Sequence, residues 1–197
     1  MLFLNYSDDY PANLVVYGKG RNMKTAENIV LIGMPGSGKS TLGVILAEML
    51  DYKFVDCDAL IQNQYEQTLE EIIDACGTQG FLEVENRVLS TVDTKKSIIS
   101  TGGSAVYSPE AMKHLSHIGV VVYLQINPES LMERLGDLKE RGVVMRDGIG
   151  MSVVDLYRER LPLYEHYAEI TVDVNNLDIV PAAEKVAEAI KANCKIL

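Results

Sequence analysis

Basic residues are the scarcer charge in this chain: 18 Lys and Arg stand against 28 Asp and Glu, a formal net charge of -10. A broad nucleic-acid footprint needs a surplus of cations on one face, so this balance argues against that class of partner and mainly favours solubility. Cysteine is scarce too. Cys57, Cys76 and Cys194 are odd in number, far apart and in no C-x-x-C arrangement, which speaks against a disulfide framework and a zinc site and fits a reducing cytoplasm. No apolar run reaches the roughly 18 residues of a membrane span. The N-terminus also lacks a basic region followed by an apolar core and a small-residue cleavage site. The expectation is a cytoplasmic protein with no membrane and no nucleic-acid partner; the sequence does not set an oligomeric state, and a monomer is compatible with it. What is present is ordinary: 197 residues, 47% hydrophobic and 23% charged, enough for one domain with a real core.

Residues 1–26 stand apart from the rest of the chain. They are turn-rich, with only Leu14 to Tyr17 suited to a short strand. The stretch before Met23 reads as an appended arm or as an upstream misreading of a start at Met23, alternatives that the mass of the protein made from its native gene distinguishes. The domain is expected from residue 27 to 197. In it, short β-branched runs alternate with amphipathic helical stretches, the pattern of a parallel sheet covered on both faces. Strands are predicted at 29–32, 54–56, 97–100, 120–125 and 170–174. Helices are predicted at 39–50, 59–65, 68–76, 78–92, 109–114, 128–135, 152–168 and 180–192. Residues 136–150, charged and punctuated by glycine, read as a loop or lid.

Gly33-Met34-Pro35-Gly36-Ser37-Gly38-Lys39-Ser40 fits G-x-x-x-x-G-K-[ST], with an apolar strand before it and a helix-forming run after it. Glycines let the backbone wrap phosphate with its N–H groups inward, and the helix adds its positive N-terminal end. Gly36, Ser37, Gly38, Lys39, Ser40 and Thr41 are therefore the candidate nucleotide-binding residues, Lys39 reaching the β and γ phosphates and the Ser40 hydroxyl ligating magnesium. Asp56-Cys57-Asp58 ends the second predicted strand, where strand carboxyl ends border the ligand crevice. One carboxylate suits magnesium and the other an acceptor hydroxyl; equally, Asp58 suits the cap of the next helix. Thr101-Gly102-Gly103-Ser104 follows the third strand, and its paired glycines permit close approach of a ligand to backbone N–H groups, or simply make a turn.

These motifs, with F-x-x-x-E at Phe81 to Glu85, V-V-Y-L before a helix, R-x-P-L-Y at Arg160 to Tyr164 and V-D-V at Val172 to Val174, resemble the shikimate kinases in content and order. The resemblance implies an α/β fold of three layers, a P-loop kinase with a five-stranded parallel sheet in the order 2-3-1-4-5 and a lid. It implies ATP with Mg2+, and phosphorylation of the 3-hydroxyl of shikimate, a small-molecule acceptor on the route to chorismate and aromatic amino acids. Residue by residue, it implies a catalytic set of Lys39, Asp58 and Arg141. Asp56 joins Ser40 at the metal, Asp58, Gly102 and Gly103 meet the acceptor, Arg160 grips its carboxylate, and Arg141 swings from the lid over the phosphates. The plainer alternatives are a solvated helix charge for Arg160 and a solubilising loop charge for Arg141.

The pattern breaks at Leu82, where the family usually has Arg as F-R-x-x-E. Arg87 is no substitute, lying roughly 140° around the helix from Leu82, and its plainer partner is Glu83 at i, i+4. Ser104 and the Arg141-Gly142-Val143-Val144 run depart more mildly from the family pattern. If shikimate is the acceptor, Arg160 holds its carboxylate largely alone, or Lys139 or Arg146 closes over it. The alternatives are a related kinase for another small hydroxylated metabolite and a nucleotide-binding protein without turnover. His114, His117 and His166 read as helix-end residues without catalysis, and Cys57, flanked by carboxylates, as an unreactive core thiol.

Overall fold

The computed structural model describes residues 24–135 and 152–197. Seven strands occur among them: β1 (Lys24–Ala26), β2 (Asn28–Ile32), β3 (Lys53–Asp56), β4 (Ser97–Ser100), β5 (Val120–Gln125), β6 (Ile170–Asp173) and β7 (Cys194–Ile196). The helices are α1 (Lys39–Leu50), α2 (Cys57–Tyr65), α3 (Leu69–Leu89), α4 (Pro109–Ile118), α5 (Pro128–Leu135), α6 (Val153–Tyr167) and α7 (Ile179–Asn193), with a 3-10 turn at Ala105–Tyr107.

Five strands form one sheet in the order β3-β4-β2-β5-β6, every pair parallel. This is the order 2-3-1-4-5 expected for the five predicted strands. β2 occupies the centre because Asn28-Ile29-Val30-Leu31-Ile32 is buried at every position, as a strand covered on both faces must be. Ile29 pairs with Ile98 on one side and Val120 on the other. From β2 the chain runs through α1 to β3 in one direction across the sheet, and from β4 through α4 to β5 in the other. Right-handed crossovers therefore put α1 and α4 on opposite faces. α7 packs on α1, and α3 packs on α4, completing the two outer layers.

Local chemistry explains the helix boundaries. α3 starts at a reciprocal capping box in which Thr68 and Glu71 satisfy each other's backbone N–H groups. It kinks at Gly77, whose φ of 70° and ψ of 175° are not helical, so the two helices predicted around this position occur as two arms of one element. A second box, Ser152 with Asp155, opens α6.

One pairing was not foreseen. β1 lies within the stretch read from sequence as an extension, yet it pairs in parallel with β7 at the other chain end. Tyr52 closes the pair, its hydroxyl donating to the Ala26 carbonyl at 2.6 Å and accepting from the Leu197 N–H at 3.3 Å. No helix among the described residues is long and apolar enough to cross a membrane. The predicted lid at 136–150 lies outside the described residues.

Candidate active site

The phosphate loop joins β2 to α1 in a conformation that its glycines permit. Gly33 and Gly38 have φ of 149° and 94°, and a Cβ on Gly33 would stand 2.8 Å from the Leu124 carbonyl oxygen. Gly38 is the N-cap of α1 and brings no side-chain cap, so the helix opens without a side chain bonded to its first N–H groups. Lys39 is 8% exposed and donates through Nζ to the carbonyls of Gly33 at 2.8 Å and Met34 at 2.9 Å. Burial lowers its pKa to about 8, with Asp58 opposing that fall. Ser40 and Thr41 are exposed at the start of α1. Ser40 Oγ lies 3.2 Å from Ser100 Oγ, and Ser100 is the register partner of Asp56.

Gly36, Ser37 and Gly38 also form one wall of a cleft of about 300 Å³ whose other wall includes Arg134, Val174 and Leu177. Arg134 donates to the carbonyls of Val174 at 3.3 Å and Leu177 at 3.5 Å, tying α5 to the turn after β6. A planar base beside the phosphate loop fits such a cleft. Sequence reasoning passed over these residues; the only signal was Val172 to Val174, read as a motif without a role.

The helix-cap alternative for Asp58 does not hold. β3 stops at Asp56, so the two carboxylates do not share a strand face. It is Asp56, not Asp58, that caps α2: its Oδ1 accepts from the N–H groups of Asp58 at 3.0 Å and Ala59 at 3.2 Å. Asp58, released from that task, sits in the first turn of α2 facing Gly102. A Cβ on Gly102 would come within 3.0 Å of Asp58 Oδ1. Burial raises the Asp58 pKa and the neighbouring Asp56 adds to the rise, while Lys39 opposes it. Cys57 turns into the core, its thiol pushed well up by burial and by both carboxylates.

The same side of Gly102 holds a residue the sequence reading left without a role. Glu85, one turn along α3 from Leu82, is fully buried, and the same hypothetical Cβ on Gly102 would meet its Oε1. Neither carboxylate oxygen has a hydrogen-bond partner among the described residues. Burial raises the Glu85 pKa to about 7; the Ser104 hydroxyl lies near enough to oppose that rise without completing a bond to either oxygen.

Arg160, from α6, is 1% exposed, which eliminates the solvated-charge alternative. A Cβ on Gly103 would lie 3.0 Å from its Nη1, so guanidinium and glycine backbone border the same space. Its Nε donates to the Tyr107 hydroxyl at 3.2 Å, and its Cζ lies 5.1 Å from the centre of the Tyr107 ring. Tyr164, one turn further along α6, donates to the Gly103 carbonyl at 2.7 Å and stacks on Tyr123 with ring centres 5.1 Å apart. The described structure thus brings Lys39, Asp58, Gly102, Gly103 and Arg160 into one cluster, with Ser40 and Asp56 beside it. Arg141, like Lys139 and Arg146, lies outside the described residues.

Leu82 is buried at 8% exposure. Arg87 is exposed and donates to the Tyr65 hydroxyl at 3.4 Å rather than pairing with Glu83; the ion pairs among the described residues are Lys24–Glu169, Lys95–Glu27 and Lys96–Asp51. His114 is half-buried, with Nε2 at 2.8 Å from the Val92 carbonyl, while His117 is exposed and His166 meets the Tyr167 ring edge-on.

Comparison with known proteins identifies the family. The shikimate kinase family model matches residues 35–194. The chain is similar to a shikimate kinase of Caldicellulosiruptor bescii, 35% identical over 162 residues that make up 81% of this chain and 93% of that protein. A shikimate kinase of Synechococcus sp. (strain CC9902) is 38% identical over 154 residues, 77% of this chain and 80% of the other. Among solved structures, the shikimate kinase from Acinetobacter baumannii in complex with shikimate superposes with a TM-score of 0.76 at 31% identity, covering 86% of this chain and 96% of that one.

Proposed function

The chain belongs to the shikimate kinase family, and from that premise we propose that it transfers the γ-phosphoryl group of ATP to the 3-hydroxyl of shikimate. The observation that carries the reading is the polarity of one cluster of side chains around the paired glycines. At one end a buried guanidinium, Arg160, borders Gly103; at the other a buried carboxyl, Asp58, faces Gly102, with Lys39 of the phosphate loop near it. A small acid bearing a hydroxyl matches both ends. Arg160 binds the carboxylate, since a planar guanidinium grips it through two parallel hydrogen bonds.

Asp58 orients the hydroxyl and, with its pKa raised by burial, accepts its proton. The acceptor oxygen forms its bond to the γ phosphorus as the bond from phosphorus to the bridging oxygen breaks and ADP leaves. Lys39 carries positive charge below about pH 8 and stabilises the charge that develops on the phosphates. Arg141 is assigned by resemblance to the same charge. Ser40 and Asp56 offer an all-oxygen donor set next to the loop, which suits Mg2+ and would hold it. Once bound, that ion neutralises phosphate charge.

One observation favours a second reading. Leu82 is buried and one helical turn from Glu85, so an apolar side chain occupies the acceptor side of α3, which suits a less acidic polyol. The two readings separate in an assay of ADP release from Mg-ATP with shikimate and a panel of polyols and sugar acids. Stimulation by shikimate alone is expected. Strong stimulation by an uncharged polyol and none by shikimate would establish the second reading.

A further inference from the structure

We propose that Tyr107 is a positioning residue that sets the affinity for the acceptor's carboxylate by locking the Arg160 guanidinium, a role made necessary by Leu82. The proposal rests on Arg160 receiving that carboxylate.

A buried arginine remains charged, and its affinity for a carboxylate depends on whether its planar fork is held in one orientation before the ligand arrives. Tyr107 fixes that plane twice. Its ring lies beneath the guanidinium carbon, 5.1 Å from Cζ to the ring centre, and its hydroxyl accepts from Nε at 3.2 Å. The Nε bond points one edge of the fork at the phenol oxygen and the ring beneath Cζ holds the group at that distance, beside a further hydrogen bond with Tyr164. The phenol is steadied in turn by Glu159, a further hydrogen-bond partner on α6.

The position of Tyr107 in the chain adds a second consequence. It closes the 3-10 turn Ala105–Tyr107 directly after Thr101-Gly102-Gly103-Ser104, and its N–H donates to the Ser104 carbonyl at 2.9 Å. The loop that offers glycine backbone to the acceptor therefore also holds the arginine. The link is double, because Tyr164 of α6 also donates to the Gly103 carbonyl at 2.7 Å. Arg160 Nη1 is kept beside Gly103 by two bonds donated from the helix to the loop.

Leu82 makes this lock matter. Two arginines sharing one carboxylate tolerate looseness in either; a single arginine does not, because each misorientation loses the whole charge-assisted pair.

The test compares Tyr107→Phe, which keeps the ring, with Tyr107→Ala, which removes ring and hydroxyl. The Michaelis constant for shikimate is expected to rise about 10-fold in the first and on the order of 100-fold in the second. The constant for ATP should stay within about 2-fold, with kcat little changed at saturating shikimate. Adding Leu82→Arg should lower the shikimate constant more in the Tyr107→Ala background than in the wild type, because a second guanidinium restores what the lost lock provided. A second readout needs no substrate: the Arg160 Nε–H resonance, assigned by its loss in Arg160→Lys, should exchange slowly with water in the wild type and rapidly in Tyr107→Phe. An unchanged shikimate constant in Tyr107→Ala, a parallel rise for ATP, or fast exchange in the wild type would each overturn the proposal. A wild-type enzyme that ignores shikimate but has a slowly exchanging Nε–H would instead sink the acceptor assignment.

Discussion

At the scale of single residues, Glu85 carries the least familiar energetics. Most carboxylates in folded proteins are stabilised as anions, and the fold weakens when acid protonates them. Glu85 is fully buried with neither oxygen hydrogen-bonded among the described residues, and burial raises its pKa to about 7 from an ordinary value near 4.5. Between those values the folded protein holds a proton that the unfolded chain has released. Its contribution to stability is therefore complete below about pH 4.5 and is lost as pH rises through about 7. Glu85→Gln, which cannot ionise, should raise the melting temperature relative to wild type at pH 7.5 and lose that advantage by pH 4.5. A constant difference between the two proteins across that range would contradict the assignment. The sequence contained Glu85 inside F-x-x-x-E but gave no reason to single it out, because glutamates on helices are nearly always solvated and burial is a property of what packs over them. For Arg160 the sequence left a solvated charge open, and only the tertiary packing of α6 against the 3-10 turn removes that alternative.

Among the elements, the loop after β4 has the most exacting geometry. Gly102 faces two carboxyl groups, and a methyl group there would meet Glu85 Oε1 and stand 3.0 Å from Asp58 Oδ1. Gly102→Ala should raise the Michaelis constant for shikimate by more than about 10-fold, while ATP binding, which depends on the separate loop after β2, remains within about 2-fold. Equal losses of both would show that the substitution disturbs the sheet rather than the pocket. The parallel sheet was legible because its strands are β-branched runs and its helices are periodic, signals that lie within single segments. The capping of α2 was legible only as an open alternative, and for Asp58 rather than Asp56. Asp56-Cys57-Asp58 contains two good caps, and the choice between them depends on where β3 ends, which a single sequence leaves uncertain by a residue or two. β1 and β7 carried no signal at all. Each has three residues, and what makes them strands is their pairing across nearly the whole length of the chain.

For the molecule as a whole, that pairing has a measurable consequence. Tyr52 bridges β1 and the residue after β7 by donating to Ala26 and accepting from Leu197. Tyr52→Phe leaves the buried Ala26 carbonyl without that donor and should cost about 1 to 3 kcal/mol of unfolding free energy. Denaturant titration checks it, with shikimate turnover at 25 °C unchanged because the joint lies at the opposite ends of the strands from the pocket. The larger organisation comes from connection order. Because α1 and α4 leave β2 and β4 in opposite directions, a crevice opens at the strand carboxyl ends, and the phosphate loop, Asp58 and the Gly102 loop all border it. The phosphate loop was legible on its own because its chemistry is local. The acceptor pocket is assembled from α2, α3, the loop after β4 and α6, and its contents were legible only through family order. The central claim is that this pocket selects an acid by Arg160 and phosphorylates its hydroxyl beside Asp58. The most direct measurement compares kcat/KM for shikimate and for its uncharged methyl ester in an Mg-ATP assay of ADP release. A preference for shikimate of on the order of 100-fold or more is predicted, and equal rates for the two compounds, or no response to shikimate, would contradict it.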